Sequence, residues 1–138
     1  MGFIYLMASW LAGCQPRLDS TDPSERFRAL EKVTDQAKLA NIAEADGDPD
    51  VRRTAVEKLN DQSVLAKVVL TDTEPAIREA AVWRLTDQTV LTKVALLDQQ
   101  LSIREDAAWR LTNQSALIRV AAETHDPSIS NTVARKLK

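Results

Sequence analysis

DPDVRRTAVEKLNDQSVLAKVVLTDT, residues 48–73, is the stretch that decides the fold. Val51, Ala55, Val56 and Leu59 recur at spacings of three to five, the period of one helix face and not the alternation of a half-buried strand. The spacing predicts a longer helix over about Pro49 to Leu59. Asp48 supplies its start, because a carboxylate accepts from free backbone amides and a proline at the first helical position forfeits no needed donor. A second helix follows Asp61, again a capping residue type, and carries Leu65, Val68 and Val69 on one face.

The same stretch recurs on both sides. The dipeptide DQ stands at Asp35, Asp61 and Asp87 and NQ at Asn113, each step being 26 residues, with no insertion or deletion needed. Four and a half units then run from Asp22 to Lys138. Neither helix of a unit can bury its apolar face alone, so neighbouring units must stack. The expected fold is all-α, a right-handed α-solenoid of about four and a half two-helix repeats, with Leu59, Leu85, Leu111 and Leu137 in its core. A period of this length also suits leucine-rich repeats, but their Leu-x-Leu strand signature is absent.

The pattern DPxVRxxAVxxL at Asp48 to Leu59 resembles HEAT and HEAT-like repeats over residues 22–138, in units shorter than that family's usual length of about 40 residues. The resemblance implies that an Asp and an Arg six positions apart link neighbouring units. Asp46 and Arg52, Asp72 and Arg78, and Asp98 and Arg104 keep that spacing, whereas Thr124 and Ser130 replace both members at the end of the chain. These six residues are read as a structural ladder. An interior pair explains the joint replacement, since an orphaned buried charge costs about 3–5 kcal/mol.

One repeat position changes character, through Glu31, Glu57, Trp83, Trp109 and Arg135. At about 100° per residue it lies opposite the apolar face, so Trp83 and Trp109 are expected to project outward on successive units. Arg84 and Arg110 follow them directly, and exposed Trp with Arg is typical of partner-binding hot spots. The resemblance places this patch on the inner surface. The other reading is that the indoles lie over neighbouring Arg stems, or under a subunit contact, and add stability by cation–π contact and apolar burial.

The amino terminus carries a different signal. Residues 3–12 form a mainly apolar run without charge, too short for a bilayer span of about 20 residues but of signal-peptide length. Leu11, Ala12, Gly13 and Cys14 then resemble the lipobox of bacterial lipoproteins, although no Lys or Arg precedes Arg17. That resemblance implies a signal peptide over 1–13, cleavage before Cys14, lipidation of Cys14 and a short linker over 14–21. Lipid chains gain about 0.8 kcal/mol per buried methylene, so the domain would be held at a membrane. Gln15 after the cysteine implies an outer-membrane lipoprotein facing the periplasm.

Composition narrows the function. Eighteen basic against 20 acidic side chains give a net charge of −2, without the basic surface that nucleic acid requires. One Cys and one His cannot complete a four-ligand zinc site. His125 falls in a loop between units without a positioned nucleophile or orienting acid. The expectation is a non-catalytic protein with no cofactor or small-molecule substrate, a membrane-anchored scaffold for a protein or peptide partner. Some short HEAT-like arrays belong to phycobilin lyases, and the resemblance gives as its alternative a cytosolic subunit of that kind of enzyme.

Overall fold

The computed structural model describes residues 17–138. The expected signal peptide, its cleavage point and Cys14 lie outside the described residues. Among those described, nine helices follow one another with starts 13 residues apart. They are α1 (Pro23–Leu30), α2 (Gln36–Ala45), α3 (Pro49–Lys58), α4 (Gln62–Thr71), α5 (Pro75–Arg84), α6 (Gln88–Leu97), α7 (Leu101–Arg110), α8 (Gln114–Glu123) and α9 (Pro127–Lys136). None is long and apolar enough to cross a membrane.

Start and stop signals explain the regularity. Asp35, Asp61, Asp87 and Asn113 each accept from the backbone N–H groups two and three residues ahead, satisfying amides that the first helical turn leaves open. Asp48 caps α3 in the same manner, and Asp22 and Asp126 cap α1 and α9 through the N–H two residues ahead. Glu74 and Gln100, which stand before α5 and α7, make no side-chain cap bond. The two helix types are of equal length, 10 residues in α3 and 10 in α4, which corrects the expectation of a longer first helix. The reason lies at their ends: Leu59 leaves α3 at φ −74°, ψ 142° and Asp72 leaves α4 at φ −69°, ψ 136°, so both chains turn extended at the same count.

Each Gln-initiated helix packs mainly on the helix that follows it: α2 on α3, α4 on α5, α6 on α7, α8 on α9. The structural hairpin is therefore out of phase with units cut at Asp22. Asp46, Asp72 and Asp98 sit in the turns of these hairpins. The odd-numbered helices also pack each on the next, while α2–α4 and α4–α6 touch only lightly.

The apolar face of every helix meets in one continuous core that includes Val51, Ala55, Leu65, Ile77, Leu91, Ile103, Leu117 and Ile129. Leu59, Leu85 and Leu111 are fully buried. Leu137 is only partly buried and packs at the margin of the core, a correction to its expected core role, because among the described residues no further helix pair lies over it. Truncating Leu85 to Ala is expected to destabilise the chain by about 2–5 kcal/mol, the combined cost of lost transfer energy and the cavity left behind. Thermal melting followed by circular dichroism checks this.

Candidate functional site

Two structural ladders and a set of basic ties fix the surface on which the candidate site lies. The first ladder runs through the hairpin turns. Arg52 donates from Nε and Nη2 to the two carboxylate oxygens of Asp72 at 3.0 and 3.3 Å, and from Nη1 to the Asp46 carbonyl at 2.9 Å. Arg78 repeats this with Asp98 at 2.9 and 3.1 Å and with the Asp72 carbonyl at 3.1 Å. The ion partner of each arginine is thus the Asp 20 residues ahead, and the Asp six residues behind offers only its carbonyl. A guanidinium suits the task because its planar fork can serve a carboxylate and a carbonyl at once.

The ladder Asp has a second role. Its Oδ1 accepts from the N–H two residues on, at 2.9 Å in each of Asp46, Asp72 and Asp98, which shapes the turn into the next helix. Thr124 keeps that role through Oγ1, with the Asp126 N–H at 3.2 Å. Arg104 retains its bond to the Asp98 carbonyl at 2.7 Å and finds Asp126 at 3.6 Å as its ion partner. Thr124 and Ser130 are therefore not the two halves of one lost pair, which corrects the sequence interpretation. Arg26, overlooked because Ser20 stands where an Asp was sought, clasps Asp46 at 2.8 Å through two bonds and starts the ladder.

The second ladder uses the glutamine of each DQ or NQ dipeptide. Oε1 of Gln36, Gln62, Gln88 and Gln114 accepts from the backbone N–H of Asn60, Thr86, Thr112 and Lys138 at 2.8 to 3.1 Å. Nε2 of Gln36, Gln62 and Gln114 donates to the carbonyls of Lys58, Arg84 and Lys136. These glutamines escaped the sequence interpretation, which used them only to mark the register. The available signal was an unvarying polar residue at a first helical position that demands none.

Arg84, which is exposed, and Arg110, which is half-buried, use their guanidinium groups as basic ties to the preceding unit. Arg84 donates to the Leu59 carbonyl at 3.1 and 3.0 Å and to Asn60 Oδ1 at 2.6 Å, and Arg110 donates to the Leu85 carbonyl at 2.7 Å. Lys58 reaches the Leu30 carbonyl at 2.5 Å in the same way, and Lys136 the Trp109 carbonyl. Each neutralises the carbonyl end of the preceding odd-numbered helix, where positive charge is favoured. Arg110 Nε is buried without a partner.

Trp83 and Trp109 are left facing outward, 44% and 59% exposed, on successive odd-numbered helices. Their ring centroids lie 5.6 Å apart at an interplanar angle of 48°, within the range of favourable tilted aromatic pairs. Lys136 Nζ stands 5.6 Å from the Trp109 ring centroid, so a lysine supplies the cation that Arg84 or Arg110 was expected to give. Burial holds the Lys136 ammonium below its ordinary range, with the Arg110 charge adding to the effect. Burial also raises the Asp106 carboxyl, and the charges of Glu79 and Glu105 add to the effect. His125 is exposed in the loop before α9. Among the described residues no group of three or more His, Cys, Asp or Glu side chains is placed to hold a metal ion.

Fold and surface together define a helical repeat array carrying a paired-indole face. No protein-family model, curated protein or solved structure matches the chain.

The ladder also sets a pH response. The Arg26 hydrogen bond lowers the Asp46 carboxyl most strongly, against burial and with help from the Asp48 N–H. At Asp98 burial is the largest single influence and opposes ionisation, but the Arg78 bond, the Gln100 N–H and the charges of Arg78 and Arg104 together outweigh it. A carboxyl depressed in the folded state contributes stability that is fully present above its unfolded value of about 3.9 and is lost as pH falls through the folded value. Melting temperature is therefore expected to drop below about pH 4, and to drop less steeply in Asp46→Asn or Asp98→Asn. Parallel acid profiles of the variants and the parent would remove the ladder carboxylates from this role.

Proposed function

We propose that the chain is a non-catalytic, membrane-anchored scaffold, a HEAT-like α-solenoid that binds a protein or peptide partner through the Trp83–Trp109 face. The observation that carries this reading is the pair itself: two indoles in tilted contact, each about half exposed, on helices that two ladders and the basic ties hold in register. Contiguous exposed apolar surface marks interaction sites, and Trp is among the residues most enriched at binding hot spots. The odd-numbered helices pack on one another along the whole row, whereas α2–α4 and α4–α6 touch only lightly and α6 and α8 pack as closely as α7 and α9; we take the array to curve toward the odd row. The indoles would then stand on its inner side.

The anchor rests on LAGC. Lipid on Cys14 would tether the array through residues 14–21, hold it close to the membrane and place it in the cell envelope, at the outer membrane facing the periplasm. Mass spectrometry of the mature amino terminus is expected to show a chain beginning at acylated Cys14; a chain retaining Met1 and an unmodified thiol would remove the anchor. The partner face has its own test, with a photoreactive phenylalanine analogue at position 109 in the cells that make the protein. A discrete adduct that Trp83→Glu abolishes is expected. An adduct pattern indifferent to Trp83→Glu would refute the face.

A further inference from the structure

The environment of the indoles says what kind of partner they suit. Trp83 and Glu79 are one turn apart on α5, while Glu105 and Asp106 lie on α7, which packs against α5. None of these three carboxylates forms an ion pair among the described residues; Glu105 accepts a hydrogen bond from the Ser128 hydroxyl. Some surface carboxylates are matched, as in Arg53 with Glu57 at 3.0 Å and Arg119 with Glu123 at 2.9 Å. Around the indole pair, by contrast, three carboxylates on adjacent helices stand without a cationic partner among the described residues.

The chain itself shows what this aromatic surface accepts. Lys136 holds its ammonium against Trp109 at one end of the indole pair. Trp83 at the other end has no such cation among the described residues, yet it is the indole nearer to Glu79 on its own helix. Cations bind aromatic faces through the ring quadrupole, more strongly where water is partly excluded, and flanking carboxylates add to the attraction. Burial is the main cause that raises the Asp106 carboxyl, and the charges of Glu79 and Glu105 add to it, which places the three carboxylates within reach of one another.

We infer that Trp83, Trp109, Glu79, Glu105 and Asp106 form a receptor for a lysine- or arginine-bearing extended segment of the partner protein, with a basic side chain seated on Trp83. This rests on the partner-binding reading of the same face and adds the chemistry that the face selects. A cation at Trp83 would continue the row that Lys136 closes at Trp109. The incoming charge would relieve the mutual repulsion of Glu79, Glu105 and Asp106, so the segment gains from electrostatics as well as from aromatic contact. An acidic segment would meet the opposite field and be rejected.

The test uses the whole protein and a ten-residue peptide of alternating lysine and glycine, followed by the indole fluorescence. A version with every lysine acetylated keeps the stems and removes the charge. The lysine peptide is expected to shift the emission saturably and to bind about tenfold more tightly than the acetylated one, an advantage that added salt reduces. Glu79→Gln with Asp106→Asn is expected to weaken the lysine peptide about tenfold, with an unchanged circular dichroism spectrum. Equal binding of the two peptides, or no response to either, overturns the cationic assignment. The partner face as such falls only by crosslinking from position 109, so the two failures are distinct.

Discussion

Among the described residues, three of the four hairpin turns are held by an arginine that also reaches the next turn. Arg78 shows the arrangement: one edge of its guanidinium lies on the Asp98 carboxylate and its remaining amine on the Asp72 carbonyl. The Arg78 and Asp98 side chains are 10% and 6% exposed, so the pair is shielded from water and from salt. Burying a charge pair is not in itself a strong source of stability, because desolvation offsets much of the attraction. What it supplies is register. An arginine displaced from its carboxylate would leave two buried charges unmatched, so only one stacking of the hairpins satisfies all of them.

The glutamine ladder and the basic ties act at the other ends of the helices. Gln62 joins the start of α4 to the backbone after α5, and Arg84 joins the end of α5 to the backbone after α3. Each hairpin is thereby fixed at both ends. The consequence for the candidate site is geometric: Trp83 and Trp109 stand on helices whose spacing is set independently of the indoles, so their separation is a property of the array. A surface presented this way binds with little ordering cost, which favours recognition of an extended segment.

Much of this was legible in the residues. The 26-residue period located every helix, the caps at Asp48 and Asp61, the buried leucines and the outward course of both tryptophans. The pairing within the ladder was not, because a repeat fixes which residues are equivalent and not which neighbouring copy each one touches. Asp46 and Arg52 are close in sequence, yet the Asp46 carboxylate belongs to Arg26. The roles of Arg84 and Arg110 were hidden for a related reason. Their adjacency to tryptophan suggested a shared surface, whereas consecutive helical residues point about 100° apart. The basic residue shared by Lys58, Arg84, Arg110 and Lys136, in units both with and without tryptophan, was the sign of a structural role.

The account depends most on the claim that the arginine clasp couples adjacent hairpins into one body. A double-mutant cycle on Arg78→Met and Asp98→Asn, measured by denaturant unfolding of the whole chain, isolates that coupling. The expected interaction energy is above about 1 kcal/mol, with each single variant costing nearly as much as the pair. Single effects that add to within about 0.5 kcal/mol would contradict the account, since independent sites behave that way.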